Sequence, residues 1–365
     1  QGFNSLIGRL PSEEGFIDSK SAYIALPDNN DKEDIKPIKK NNYKLVTDEQ
    51  VLVTWLKNIE LNGIVSIDTE TTSIDAVSAQ LVGISLSIEP GNAIYIPLNH
   101  KSKEGGLIAD KINQLDTNLV LSLLKPILED PSIIKIGQNI KYDMTVLYNA
   151  GDINIYPYHD TMLMSFALDA GKQSGHGMDS LSKKHLNITP ISYSEITGKG
   201  KDQVTFDYVA LEKALEYAAQ DADITLRLYI FLKDRLVKEN MVSLYETIER
   251  PLPNVIAYME RNGVGINSNY LKNLSNTFIN KMNPIKEKIF NLADEEFNIS
   301  SPKQLAEILY NKLGLKGGKK GKSGLYSTSA AVLEKLSQDG NEICQLILEW
   351  RALQKLKSTY SDALV

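Results

Sequence analysis

The chain has 365 residues, 42% hydrophobic and 24% charged, with a formal net charge of −6. Those proportions are near the averages of soluble globular proteins, and the length exceeds what one hydrophobic core usually supports, so two domains are expected. No apolar run is long enough to span a membrane, no secretory signal opens the chain, and the single cysteine, Cys344, excludes an internal disulfide and suits a reducing cytoplasm.

Residues 1–42 mix charged and polar runs, Asp28-Asn29-Asn30-Asp31-Lys32-Glu33-Asp34 among them, and are expected to form a linker or loosely packed arm. The first residue is Gln1, not Met, and Val365 falls inside a helical pattern, so the chain reads as a piece of something longer. From Tyr43 to residue 235 the pattern predicts one α/β domain. A short helix is expected over 48–59, then a meander of strands at 64–68, 81–88 and 93–97. A strand over 133–137 and helices over 117–129, 141–149, 160–169 and 208–235 complete it. Residues 236–365 are expected to be almost wholly helical, over 250–261, 269–293, 301–313, 329–336 and 343–360. Between these helices lies a basic, glycine-rich loop at 316–322, and Cys344 sits in an apolar stretch that predicts burial.

Three groups of acids carry the chemistry. Ile67-Asp68-Thr69-Glu70-Thr71 places two carboxylates at the end of a strand, where side chains two residues apart project the same way. Partly buried carboxylates repel one another and call for a cation, and hard oxygen donors favour Mg²⁺ or Mn²⁺. Taken alone, the pair is equally compatible with two solvated acids. In Gly137-Gln138-Asn139-Ile140-Lys141-Tyr142-Asp143 a strand feeds a helix, and Asn139 and Asp143 at i and i+4 are expected on one face. In Tyr217-Ala218-Ala219-Gln220-Asp221-Ala222-Asp223 the same spacing joins Tyr217 to Asp221, with small residues between them that permit tight packing. Asp223 is expected to serve as a helix–helix hydrogen-bond partner. The negative total does not exclude DNA, because phosphate binding depends on where charge is placed.

Asp-x-Glu after a strand, a distant helical Asp, and Tyr-x-x-x-Asp together resemble the tyrosine-bearing branch of the DEDD exonuclease superfamily. The stretches 85–91, 137–139, 178–181 and 198–201 are similar to the proofreading domain of bacterial family A DNA polymerase I, and 260–264, 298–305 and 356–360 to the start of its polymerase domain. The resemblance implies an RNase H-like 3′–5′ exonuclease domain, a mixed sheet flanked by helices, followed by a mostly helical, thumb-like segment. It implies two divalent ions, Mg²⁺ or Mn²⁺ with Zn²⁺ an option at one site. Asp68, Glu70 and Asp221 would hold the first, and Asp68 would bridge to a second that Asp143 holds through water. Tyr217 would orient the attacking water. Thr69, Gln138 and Asn139 would touch the terminal nucleotides, with Ile74 as an apolar wedge and Tyr193 as an aromatic against the last bases. The implied partner is single-stranded DNA ending in a free 3′ hydroxyl, with duplex phosphates along the 316–322 loop, and the protein is expected to be a cytoplasmic monomer. Palm and finger motifs are absent from the sequence, so no DNA synthesis is expected. One departure stands out: relatives carry an arginine where this chain has Gly175, leaving a phosphate contact to Lys172, Lys183 or Lys184. An RNA-trimming exonuclease of the RNase D type and an inert DNA-binding scaffold are the competing readings.

Overall fold

A computed structural model describes residues 42–102, 112–171, 175–316 and 326–365. The chain divides into two compact units, Gln1–Gly263 and Val264–Val365.

The first unit is organised by a six-stranded mixed sheet of β1 (Asn42–Leu45), β2 (Ile64–Thr71), β3 (Leu81–Glu89), β4 (Asn92–Pro97), β5 (Ile134–Gly137) and β6 (Tyr158–Asp160), in the order β1-β4-β3-β2-β5-β6. The predicted meander is β2–β3–β4, antiparallel throughout; β5 and β6 extend it in parallel beyond β2, and β1 runs parallel to β4. Two strands escape the sequence pattern. β1 is four residues long and begins inside the stretch expected to be arm, and β6 is three residues long and runs directly into a helix. Segments so short carry no readable alternation; neighbouring strands define them.

Helix α1 (Glu49–Asn62) starts where Asp48 accepts hydrogen bonds from the amides of Gln50 and Val51, and ends at Gly63, whose φ of 69° a side chain would strain. Its buried positions, Leu52, Trp55, Leu56 and Ile59, follow the helical repeat. With α2 (Thr117–Glu129) and α3 (Ile140–Gly151) it covers one face of the sheet, around Val65, Ile67, Ile84 and Leu86. Helix α4 (Thr161–Asp169) packs with α5 (Leu211–Lys238) around Ile136, and α5, 28 residues long, lies against β1 to β5. Fully buried Ala214, Ala218, Ala219 and Ala222 let its backbone come close to the strands. Helix α6 (Leu252–Asn262) ends the unit at Gly263.

The second unit is helical as predicted: α7 (Ser268–Ala293), α8 (Ala330–Gln338) and α9 (Glu342–Leu356) surround a core that includes Ile289, Leu305, Leu309, Leu333 and Ile347. Cys344 is buried there, and burial pushes its thiol up to about 11. Among the described residues no helix is long and apolar enough to cross a membrane. Residues 1–41, Lys172 and all of the basic loop but Lys316 lie outside the described residues.

Candidate active site

Strand alternation divides the site between the two sheet faces. Val65, Ile67 and Thr69 point toward α1–α3, and Ser66, Asp68 and Glu70 toward α5. Asp221 on α5 meets the second set. Carboxylate oxygens of Asp68, Glu70 and Asp221 lie within 4.8 Å of one another.

Glu70 and Asp221 are 6% and 8% exposed, and Asp143 only 2%. Burial raises all four acids above the usual carboxylate range. Mutual repulsion adds to it, from Asp221 on Asp68, from Asp68 on Asp143, and from all three others on Glu70. Burial brings Asp221 to about 7, against a hydrogen bond from Tyr217 that pulls it down. Among the described residues no lysine, arginine or histidine forms an ion pair with any of the four, and Glu70 Oε1 is buried with no hydrogen-bond partner. Hard oxygen donors, unrelieved repulsion and an orphaned oxygen fit a divalent cation of the Mg²⁺ or Mn²⁺ class.

Asp143 enters from the other face. Its Oδ1 accepts from the amide of Thr69 at 2.9 Å and from the Thr69 hydroxyl at 2.6 Å. Thr69, expected to touch DNA, is itself buried, with its side chain committed to this contact. The same-face pairing expected of Asn139 and Asp143 is not what forms. Asn139 stands before α3 in the left-handed region, φ 60°, and its side chain makes no cap bond. The cap comes from Asp160 at the end of β6, whose carboxylate accepts from the amides of Asn139 (3.1 Å) and Ile140 (2.9 Å). Asp160 also caps its own helix α4, accepting from Met162 at 2.9 Å and Leu163 at 3.4 Å. One buried carboxylate thus fixes the first turns of two helices, and the carboxamide of Asn139 stays exposed. Burial holds Asp160 near 6, against the four N–H bonds that pull it down. Gln138 is held by Thr161 and by the His176 carbonyl.

Tyr217 faces Asp221, and burial together with the carboxylates drives its hydroxyl far above its ordinary pKa. The ring belongs to an aromatic wall: it lies 6.0 Å from fully buried Phe206 and 6.2 Å from Tyr193, which is 41% exposed. Ile74 is 98% exposed, on a loop pinned to α3 through Tyr142, whose hydroxyl donates to the Ser73 carbonyl, and through Asn149, which donates to Val77.

Asp223 does not bridge helices as expected. Its carboxylate accepts from Tyr43 on β1, from the Gly91 amide in the β3–β4 turn and from Arg227, so it ties α5 to the sheet edge. Gly175 lies in open surroundings, and Lys184 pairs with Asp169 at 3.6 Å. Asp160 and Phe206 were not legible as parts of the site. Asp160-Thr161 carries a readable cap signal, but nothing in sequence indicates the second helix it serves.

Residues 43–237 match the 3′–5′ exonuclease family, and residues 268–365 match DNA polymerase family A. The chain is 44% identical over 339 residues to DNA polymerase I of Rhizobium leguminosarum, covering 90% of this chain and 33% of that protein. It is 42% identical over 327 residues to DNA polymerase I of Pseudomonas aeruginosa, covering 88% and 35%. The chain therefore spans about a third of the length of these relatives. A solved structure of the POL domain of Pol1 from M. smegmatis, in complex with DNA primer-template and dNTP, shares the fold at a TM-score of 0.68 and 22% identity, covering 88% of this chain and 50% of that one.

Proposed function

The chain belongs to the 3′–5′ exonuclease family of the DNA polymerase I type, with the start of a family A polymerase domain behind it, and we propose that it removes nucleotides from the 3′ ends of single-stranded DNA by hydrolysis. The observation that carries this reading is the convergence of Asp68, Glu70 and Asp221 within 4.8 Å with no cationic side chain among the described residues paired to them.

Asp68, Glu70 and Asp221 would hold one divalent ion, and Asp68 with Asp143 a second; Mg²⁺ or Mn²⁺ suits the donors, with Zn²⁺ an option at one site. When bound, such ions neutralise phosphate charge and lower the pKa of water. The protein's own groups do the rest. Tyr217 keeps its proton, since its pKa is raised, so it serves as a hydrogen-bonding guide for the attacking water and not as a base. The resemblance puts no histidine at the base position either, and burial leaves His100, His159 and His185 only weakly basic, held near 4. Tyr193 and Ile74 offer stacking and wedging surfaces to unpaired end bases, which a duplex end reaches only after fraying. Gln138 and exposed Asn139 would contact the terminal nucleotides; Thr69 would do so through its backbone carbonyl, because its amide and its hydroxyl both donate to Asp143. Phosphate contacts by Lys183 or by the 316–322 loop belong to the same proposal, as do a monomeric state, a cytoplasmic setting and the absence of synthesis by this chain alone.

A 5′-labelled single-stranded DNA incubated with and without Mg²⁺ tests the reading. A ladder shortening from the 3′ end, abolished by chelator and by Asp68→Ala, is expected. Digestion of RNA in preference to DNA would favour trimming of the RNase D type, and parent-level cleavage by Asp68→Ala would overturn the metal centre.

A further inference from the structure

We infer that Tyr245 is a positioning residue for nucleotide binding, acting through Asp160 to hold the turn that presents Asn139. The inference rests on the reading of Asn139 as a nucleotide contact.

Tyr245 belongs to neither matched family segment. It falls between residues 43–237 and 268–365, in the helical turns Val242–Leu244 and Tyr245–Glu249 that lead into α6. β6 is the last strand of the sheet and only three residues long, so one of its sides has no strand to define it. A strand edge leaves backbone groups that need partners. Every residue of β6 is met instead by the stretch after residue 237. The Asp160 amide donates to the Tyr245 hydroxyl at 3.0 Å. The His159 ring stacks on that of Tyr245, centroids 5.7 Å apart, with Nδ1 3.1 Å from the hydroxyl. The Tyr158 hydroxyl accepts from the Asn254 amide at 3.3 Å.

This hold reaches the site because Asp160 joins β6 to α3. Its carboxylate accepts from the Asn139 and Ile140 amides only while its own backbone stays in place. Asn139 needs that support: it is left-handed at φ 60°, with no cap bond from its own side chain. Such a conformation persists in a residue with a side chain only when its surroundings fix it. Asp143 follows in the same first turn of α3. Tyr245 is 1% exposed, so water does not stand ready to replace its hydroxyl. Deleting the hydroxyl leaves the Asp160 amide without its acceptor in a buried place. Further along, α6 grips α3 directly: Lys141 pairs with Glu260 at 2.5 Å, and the Arg261 guanidinium lies 3.7 Å from the centroid of the Tyr148 ring. The stretch that leaves the first unit is therefore part of the framework of the nucleotide site.

The test is Tyr245→Phe in the full chain, which keeps the ring and its stacking and removes only the hydroxyl. The KM for single-stranded DNA is expected to rise about 5-fold, and hydrogen exchange at the Asn139 and Ile140 amides to quicken by a similar factor. Asn139→Ala should raise KM by itself, and adding Tyr245→Phe to it should raise KM no further, since both act on one contact. A merely structural Tyr245 would lower Tm and leave KM and the exchange of those two amides at their wild-type values. Wild-type KM in Tyr245→Phe, unchanged exchange at the two amides, or a further rise of the same size in the double variant overturns the inference. An Asn139→Ala chain with wild-type KM overturns the reading beneath, Asn139 as a nucleotide contact, and not the hold of Tyr245 on the turn, which the exchange rates report on their own.

Discussion

Asp143 is hydrogen-bonded twice to Thr69, through the threonine amide at 2.9 Å and its hydroxyl at 2.6 Å, so the fourth acid of the site is tethered to the strand that carries the first two. The backbone bond follows from the path of β2, whereas the hydroxyl bond depends on the side chain. Bonds to a charged acceptor contribute about 1.5–3 kcal/mol, most of it lost when the donor is removed. Thr69→Val preserves shape and the amide bond while deleting the hydroxyl. Single-turnover cleavage of single-stranded DNA is expected to fall about 10-fold in this variant and to survive in Thr69→Ser. Equal rates in Val and wild type would mean that the amide alone holds Asp143.

Asp160 supports the same acid from further away. Its carboxylate accepts amides from the start of α3 and the start of α4, and each lost cap costs ~1–2 kcal/mol. Asp160→Ala is therefore expected to destabilise the first unit by about 2–4 kcal/mol in denaturant unfolding. Hydrogen exchange should quicken most at the Asn139 and Ile140 amides, and the KM for single-stranded DNA should rise as Asn139 loses its fixed place. A variant with unchanged exchange at those two amides would show that the turn holds without Asp160.

How much of this was readable from sequence differs by element. The Asp68–Glu70 pair and the Tyr217–Asp221 pair were legible because period 2 and period 3.6 are local rules, and both pairs sit inside long regular elements. The start of α3 was not. Asn139 looks like a helical residue in sequence, and only Asp160, 21 positions later, explains why the chain can turn there in a left-handed conformation. β1 and β6 are defined by pairing partners and not by their own composition. Thr69 is a DNA contact only by the resemblance; strand alternation puts its side chain on the opposite face, and the acid that meets it comes from α3.

Stability should couple pH to divalent ions with a definite sign. Asp68, Glu70 and Asp143 are raised above the ordinary range and Asp221 to about 7. A carboxyl with a raised folded pKa favours the fold when protonated. That contribution is complete below the unfolded value, near 4, and is lost as pH rises through the folded one. His100, His159 and His185, lowered to about 4, act oppositely and cost stability as pH falls from their ordinary value. Because the histidines cancel in a difference, the informative quantity is Tm with saturating Mg²⁺ minus Tm in chelator. That increment is expected to grow steadily from about pH 5 to pH 8, as ligands the ion needs deprotonated are already so. An increment independent of pH would argue that the ion binds elsewhere.

Tyr217 separates a working group from a packing one most sharply. As a packing residue it is one ring of the wall formed with Tyr193 and Phe206, with centroids 6.2 and 6.0 Å away, and losing only its hydroxyl should change little. As a guide for water, the hydroxyl matters and the ring is its support. Its strongly raised pKa keeps the proton in place across the whole working range, so its effect should be insensitive to pH. Tyr217→Phe keeps every ring contact. Turnover is expected to drop about 10–100-fold, the usual range for groups that orient a metal site's reacting partners. Affinity for single-stranded DNA should hardly move, since the interaction is made chiefly in the transition state. Asp221 also loses a hydrogen-bond donor in this variant, so Mn²⁺ binding must be measured alongside. An unchanged ion affinity with slowed turnover places the effect on the water, whereas loss of ion affinity in proportion to rate would place it on Asp221. Rates equal to wild type at saturating enzyme would return Tyr217 to the wall.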